Sequence, residues 1–94
     1  MKSYAVKALQ PVKTVDLPKL DSSVQRRIKK KIDQIRSDPH RSGKPLGGEL
    51  VGLYKVRVGK FRIVYQVRER ELLILIIAIA HQEEIYDLAS TRAG

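Results

Sequence analysis

The side chains best suited to chemistry are basic, and they cluster in the second half of the chain. Lys55 and Arg57 alternate along one predicted strand, and Arg62 lies on the next strand along the chain. On neighbouring strands such residues share a face and lie within a few cross-strand spacings of each other. Arginine and lysine bind phosphates through charge-assisted hydrogen bonds. The pattern therefore predicts a basic, phosphate-binding surface, with Gln66 on the same face.

Two further residues could transfer protons. His81 directly follows the most apolar segment of the chain, and Tyr86 comes shortly afterwards. A neutral imidazole or an ionised phenol can take a proton from a ribose hydroxyl, while Arg62 stabilises the negative charge that results. A lone histidine at a strand end or a lone tyrosine in a tail is also a common structural residue. Spacing alone therefore leaves a catalytic and a packing role open for both.

Other catalytic machinery is missing from the sequence. There is no glycine-rich phosphate loop followed by Lys-Ser or Lys-Thr. There is no cysteine, which removes thiolate nucleophiles, disulfides and cysteine-based zinc sites. His40 and His81 are far apart and the acids are scattered, so we predict neither a metal site nor a cofactor. Any reaction must use the side chains alone.

The composition favours one small, folded, basic domain. Of the 94 residues 43% are hydrophobic, and 19 Lys and Arg against 10 Asp and Glu give a net charge of +9. We predict a single domain over residues 1–94, with nucleic acid as the leading class of partner. The longest apolar run, Leu72 to Ala80, is too short to span a bilayer. We therefore expect a cytoplasmic protein with no membrane partner.

The first half of the chain predicts a strand and a helix. Alternating apolar residues predict a strand within Ser3–Leu9. Pro11 could open a short helix, which Pro18 would stop. A clear amphipathic helix begins at Asp21 and ends before Pro39. Its apolar stripe consists of Val24, Ile28, Ile32 and Ile35, and its other faces carry Arg26, Arg27, Lys29, Lys30 and Lys31.

The second half predicts a loop and three closely spaced strands. His40–Gly52 is rich in glycine and is typical of a loop, with a short strand near Glu49–Val51. The strands are Leu53–Val58, Phe61–Arg68 and Leu72–Ala80. In the strand Phe61–Arg68, alternation predicts that one set of side chains points inward and the other outward. The inward set is Phe61, Ile63, Tyr65 and Val67, and the outward set is Arg62, Val64, Gln66 and Arg68. The third is apolar throughout, which predicts a central strand buried on both faces.

A series of short motifs follows in order along nearly the whole chain. They are Asp38-Pro39, Gly43-Lys44-Pro45-Leu46, Gly48-Glu49-Leu50, Gly52-Leu53-Tyr54-Lys55-Val56-Arg57-Val58-Gly59, Phe61-Arg62-Ile63-Val64-Tyr65 and, after His81, Ile85-Tyr86. Together they closely resemble the RelE branch of the RelE/ParE toxin superfamily. The resemblance implies a small α/β (α+β) fold, in which N-terminal helices pack on one face of an antiparallel sheet.

The resemblance also implies a function. Members of this branch are toxins of type II toxin–antitoxin systems. The resemblance implies an mRNA interferase, a metal-independent endoribonuclease that cleaves mRNA in the A site of the 30S subunit and so inhibits translation. The 2′-hydroxyl attacks the neighbouring phosphate and leaves a 2′,3′-cyclic phosphate. The implied partners are the ribosome with its mRNA, an acidic RelB-like antitoxin and, only through the antitoxin complex, operator DNA.

The resemblance assigns roles to individual residues. Arg62 would steady the transition-state phosphate, Tyr86 would orient or stack on the base, and His81 is a candidate acid for the leaving 5′-oxygen. Lys55 and Arg57 would hold the RNA and assist proton transfer. The implied RNA-binding set is Lys44, Lys55, Arg57, Lys60 and Gln82.

Gln82 is the main departure from the family pattern. Relatives commonly carry an arginine directly after the histidine, and a neutral amide does not replace a guanidinium charge. Two other functions therefore stay open. One is a ParE-like inhibitor of DNA gyrase on the same fold. The other is a catalytically weakened toxin that acts mainly through antitoxin binding and operon autoregulation.

Overall fold

One mixed sheet of five strands organises residues 3–93, the part of the chain that the computed structural model describes. Met1, Lys2 and Gly94 of the predicted domain lie outside the described residues. The strands are β1 (Ala5–Ala8), β2 (Lys44–Pro45), β3 (Leu53–Val58), β4 (Phe61–Arg68) and β5 (Leu73–His81). Their order across the sheet is β1-β5-β4-β3-β2. Strands β2 to β5 pair antiparallel as predicted, whereas β1 runs parallel to β5.

The helices flank this sheet. They are α1 (Ser22–Ile35), α2 (Pro39–Ser42) and α3 (Ile85–Ala93), with shorter helical turns at Val12–Asp16, Leu17–Lys19, Gly48–Leu50 and Glu69–Glu71. Pro18 does not stop the helical path, because it lies in the first turn of Leu17–Lys19, where the missing N–H group would have no helical partner. The sequence did not predict α3. The predicted strand at Glu49–Val51 is wrong: Gly48 has a φ of +59° and begins a helical turn that buries Leu50.

The predicted apolar stripe of α1 packs on one face of the sheet. Ile28 and Ile35 are fully buried there, and Val24 and Ile32 pack at the margin of the same cluster. We call this cluster the first core; its buried members from the sheet are Val56, Val58, Ile63, Tyr65, Ile74, Ile76 and Ile79. The fold class predicted from the sequence is confirmed, with the N-terminal helices on one face.

Helix α3 covers part of the opposite face and creates a second core. Ile85 and Ala89 of α3 are fully buried against Val64, Ile77 and Ala78. Strand β5 is therefore buried on both faces, as predicted. Val64 lies on the outward face as predicted, but it is fully buried there because the helix that the sequence did not reveal lies over it.

A β-bulge interrupts the alternation of β5. The register between β4 and β5 shifts between Val64 and Tyr65, which leaves Ile77 without a partner on β4. Ile77 and Ala78 consequently both lie in the second core, and Ile79 returns to the first core. Because one extra residue exchanges the two faces of a strand, every residue of β5 after the bulge faces the side opposite to that expected from simple alternation.

A buried tyrosine ties α2 to the sheet. The hydroxyl of Tyr65 donates to the Pro39 carbonyl at 2.6 Å, and its ring stacks on Tyr54 with centroids 5.5 Å apart. At Gly43 a Cβ atom would lie 2.6 Å from that hydroxyl and 2.9 Å from the Lys55 carbonyl, so glycine is required there. The pKa of Tyr65 is raised to about 12. Burial of the phenol is the largest cause, and the neighbouring Tyr54 is the second.

We expect Tyr65→Phe to lower the free energy of unfolding at neutral pH by about 1–3 kcal/mol, because the Pro39 carbonyl loses its buried donor. The raised pKa favours the neutral phenol in the folded state. The stability that it contributes is therefore complete below pH 10, the ordinary value, and falls as the pH rises towards 12. The variant lacks that alkaline loss. Urea unfolding at neutral and alkaline pH measures both effects.

Tyr86→Phe is the matched control, because the Tyr86 side chain is 46% exposed and its hydroxyl contacts no buried acceptor. This variant should leave unchanged both the free energy of unfolding at neutral pH and its decrease at alkaline pH. Wild-type stability at neutral pH in Tyr65→Phe would contradict the role given to this hydroxyl.

Candidate active site

The predicted basic residues lie side by side on the face of the sheet that α3 partly covers. In the β3–β4 hairpin Lys55 pairs with Val64, and Arg57 lies directly opposite Arg62. The hairpin turns at Gly59, whose φ of +59° favours glycine. Opposed Cβ atoms in an antiparallel pair are about 4.5–5.5 Å apart, so the two guanidinium groups originate at adjacent points. Lys55, Arg57 and Arg62 are called the basic face below.

Helix α3 brings Tyr86 to the basic face. The Lys55 ammonium group donates a hydrogen bond to the Tyr86 hydroxyl. The same nitrogen lies 4.8 Å from the centroid of the Tyr86 ring, close enough for a cation–π interaction. Tyr86 is 46% exposed, so much of its ring remains open to a ligand. A base stacked on this ring would have its phosphates near the lysine.

The guanidinium group of Arg62 is held in place by neutral acceptors. Its Nη1 donates to the carbonyls of Gly59 at 3.0 Å and Phe61 at 2.9 Å, and its Nη2 donates to Gln82 Oε1 at 2.7 Å. The Gln82 backbone N–H donates to the Lys60 carbonyl at 3.1 Å, which anchors that segment to the hairpin turn. These bonds hold the guanidinium group in a fixed position, and within residues 3–93 it forms no ion pair with a carboxylate.

A basic groove runs along the edge of β3 beside this face. Its volume is about 460 Å³, and it is lined by Lys31, Ser42, Lys44, Lys55, Val56, Arg57 and Arg62. Strand β2 places Lys44 directly opposite Lys55. Among the residues that the structure describes, none of the lining cations forms an ion pair with a carboxylate. Positive groups gathered in this way repel one another, so an anion that enters the groove is bound favourably.

His81 does not join this group. It pairs with Phe61 at the end of β5, and the two rings are 4.6 Å apart. Phe61 packs on the first core, so His81 lies on the face opposite to the basic face, in a cleft that it shares with Asp21 and Glu84. The bulge at Ile77 is the cause, because without that extra residue His81 would lie on the same face as Arg62.

Comparison with known proteins gives the family. The family model for the ParE toxin of type II toxin–antitoxin systems, parDE, matches residues 7–86. A RelE-like toxin protein of Escherichia coli is 36% identical over 78 residues, which cover 79% of this chain and 81% of that protein. The chain belongs to the RelE/ParE toxin family.

Solved structures of RelE toxins share the fold. A mutant of Escherichia coli toxin RelE in the free state has a TM-score of 0.80 at 26% identity, covering 96% of this chain and 97% of its own. The toxin–antitoxin complex RelBE2 of Mycobacterium tuberculosis gives 0.78 at 26% identity, covering 85% of this chain and 99% of the other. The RelE-like resemblance of the sequence is thereby confirmed.

The other predicted RNA-binding residues of this toxin surround the same face. Lys60 is exposed in the hairpin turn, and Lys44 lines the groove. Gln66 was not in the predicted RNA-binding set; it lies on the same face farther along β4, as predicted, and accepts a hydrogen bond from Arg68. Sequence reasoning did not include Lys31 or Ser42 in the site, because nothing in the sequence indicates which turn of α1 or α2 reaches the edge of β3.

Metal clusters and membrane-spanning helices are both absent from residues 3–93. Within that range, no group of three or more His, Asp or Glu side chains is placed to hold a metal ion. The helices of the same residues are all too short or too polar to cross a membrane.

We expect Arg57→Ala combined with Arg62→Ala to weaken the binding of a single-stranded RNA oligonucleotide. The logarithmic salt dependence of the affinity should also become shallower, by about 0.7 for each phosphate that the variant no longer neutralises. Fluorescence anisotropy over a series of salt concentrations measures both. Arg41→Ala with Arg68→Ala removes the same charge elsewhere and should bind nearly as wild type. Equal losses of affinity in the two double variants would show that only net charge matters.

Proposed function

We propose that this toxin is an mRNA interferase, an endoribonuclease that enters the ribosomal A site and cleaves the mRNA there. The observation that carries the proposal is the contact between Lys55 and Tyr86 beside the cross-strand pair of Arg57 and Arg62. The ammonium group of Lys55 and the guanidinium groups of Arg57 and Arg62 line one groove, and the Tyr86 ring, which could stack on a base, contacts Lys55 beside it. Because the proposed activity requires ribosomes, we expect the protein to act in the cytoplasm.

The chemistry follows from these groups. The ribose 2′-oxygen attacks the adjacent phosphorus and loses its proton, while the bond from phosphorus to the 5′-oxygen breaks and that oxygen gains a proton. The products are a 2′,3′-cyclic phosphate and a 5′-hydroxyl. Arg57 and Arg62 stabilise the extra negative charge on the phosphate oxygens. A proton passes from the 2′-oxygen to the 5′-oxygen through the hydrogen-bonded pair of Lys55 and Tyr86, which takes up one proton as it releases another and so ends unchanged.

His81 has no place in this scheme while it remains on the opposite face. The role of acid for the leaving oxygen, which the resemblance implied for it, passes to the Lys55 ammonium group or the Tyr86 hydroxyl. The reason is that His81 packs beside Phe61 on the side of the sheet away from the basic face.

The partner expected to neutralise this toxin is an acidic, RelB-like antitoxin. The RelBE2 structure of Mycobacterium tuberculosis is a toxin–antitoxin complex, which supports a partner of this kind. Within the described part of the chain the cations of the groove have no carboxylate partners, so an acidic segment would gain charge-assisted hydrogen bonds there. The antitoxin could cover the basic face or displace the segment around Ile85 to Leu88, which carries Tyr86. Operator DNA would be bound only through that complex.

Inhibition of DNA gyrase is the second candidate, because the family model that matches residues 7–86 is that of ParE. The two functions differ in their readouts. An interferase cleaves message on programmed ribosomes and leaves supercoiling unchanged, whereas a ParE-like inhibitor blocks supercoiling and cuts no RNA. The same purified protein is used in both assays.

We expect wild-type protein to cleave mRNA on programmed 70S ribosomes and Arg62→Ala to lower kcat by about 100-fold or more, because it removes a donor to the transition-state phosphate. Mapping of cleavage ends and single-turnover rates provide the measurement. Arg68→Ala, on the same strand, is the matched control and should retain wild-type activity. Intact message at a large excess of wild-type protein would remove the interferase proposal.

We expect Gln82→Arg to raise the cleavage rate by about tenfold, since the change adds a charge-assisted donor beside Arg62. Gln10→Arg adds the same charge at an exposed residue outside the site and should leave the rate unchanged. A large specific gain would support a weakened toxin. An unchanged rate in Gln82→Arg would indicate that the neutral amide is already part of a sufficient site.

A further inference from the structure

A buried ion pair joins the two ends of the chain. Among the residues that the structure describes, Asp16 is the one buried charged side chain, at 5% exposure. Arg92, in the last turn of α3, binds its carboxylate with both terminal nitrogens, at 2.6 Å and 2.8 Å. A buried charge is costly unless it is paired and fully hydrogen-bonded, so such a pair imposes a specific geometry on the elements that carry it.

This ion pair completes an open edge of the central strand. Strand β1 ends at Ala8, and the last backbone bond on that side joins the Leu9 N–H to the Ile76 carbonyl at 3.0 Å. Beyond it, the Ile79 N–H donates to Asp16 Oδ2 at 2.9 Å, and the Ile77 carbonyl accepts from Arg92 Nη1 at 3.1 Å. The side chains of Asp16 and Arg92 thus form the hydrogen bonds to the β5 backbone that a neighbouring strand would otherwise form beyond the end of β1.

The same pair fixes the orientation of α3. Ile85, Ala89 and Arg92 are spaced by four and three residues, so they form one stripe along the buried side of the helix. A helix of only nine residues is marginal by itself, and its setting depends on tertiary contacts. Ile85 anchors the start of the helix in the second core, and Ala89 is small, so the bidentate contact at Arg92 is what resists turning of the last turn about the helix axis. Tyr86 lies on this helix about 100° from Ile85.

We propose that Asp16 and Arg92 are positioning residues that set the rotation of α3 and so hold Tyr86 against Lys55. Neither residue reaches the basic face, and both act through the helix. The consequence for catalysis rests on the proposed function. The consequence for the contact between Tyr86 and Lys55 does not, and the experiment measures the two separately.

The mildest variant is Arg92→Lys, which keeps the charge but cannot bind Asp16 and the Ile77 carbonyl as a fork. The Lys55 ε-methylene proton signals report ring contact with Tyr86 in an NMR spectrum of the folded protein. In Arg92→Lys we expect these signals to move to the position that they have in Tyr86→Ala, where no ring is present. Asp16→Asn should move them in the same direction. Arg41→Lys, at a highly exposed arginine, is the matched control and should not move them.

Ribosome-dependent cleavage then separates positioning from stability. We expect Arg92→Lys to lower kcat about tenfold or more in the wild-type background, with little change in KM, because displacement of a reacting group by about 1 Å can cost roughly 100-fold. In the Tyr86→Ala background the same change should cost less than about twofold, because the residue being positioned is already absent.

Equal losses of kcat in the two backgrounds, at temperatures where every variant is folded, would overturn the proposal in favour of a purely structural pair. Unchanged Lys55 signals in both Arg92→Lys and Asp16→Asn would overturn it as well. If the wild-type protein cleaves no RNA, the proposed function fails, and the NMR comparison alone decides the positioning claim. If Arg92→Lys does not fold, Asp16→Asn, which retains an oxygen acceptor for the Ile79 N–H, takes its place in both measurements.

Discussion

Strand β5 has to bury both of its faces, and the rest of the structure depends on how it does so. One face is covered by α1 and the N-terminal helical turns, and the other by the short helix α3. Each fully buried isoleucine contributes on the order of 1.5–3 kcal/mol, so neither face can be left exposed without loss of the fold. The helix that covers the second face also carries Tyr86. The helix that buries the second face of the central strand therefore also brings Tyr86 to the candidate site.

The bulge at Ile77 links this packing to the chemistry. It gives the second core two consecutive residues, Ile77 and Ala78, on which α3 rests. It also reverses the direction of the strand's last side chains, so that His81 leaves the basic face and Tyr86 provides the proton-bearing group beside Lys55. Lys55, Arg57 and Arg62 lie together on the basic face, and Lys44 lines the groove beside them. This group of cations makes a phosphate backbone or an acidic antitoxin a fitting ligand.

The sequence was sufficient for the features that depend on local pattern. Alternation gave β3 and β4 with their observed bounds, and the cap and apolar stripe gave α1. The same alternation placed Arg57 and Arg62 on one face, because a tight turn at Gly59 sets the register of the hairpin. The resemblance to RelE toxins supplied the proposed role of Tyr86, for which composition and spacing had left a catalytic and a packing role open.

The features that the sequence did not predict depend on long-range packing. A bulge changes no residue type, so the uninterrupted apolar run of β5 gave no sign that His81 would change face. Helix α3 is short and has few periodic apolar residues, and its stability comes from Ile85 in the second core and from Arg92 on Asp16. Asp16 and Arg92 stand 76 positions apart in the chain, and neither belongs to a local motif.

The most direct test of this account is an NMR titration with a short RNA whose reacting ribose carries a 2′-O-methyl group, which binds but cannot be cleaved. The account predicts that the side-chain signals of Arg57, Arg62 and Tyr86 shift together with one dissociation constant, while the imidazole signals of His81 stay in place. Saturable shifts at His81 with unchanged signals at Arg57 and Arg62 would contradict it, because the RNA would then bind on the opposite side of the sheet.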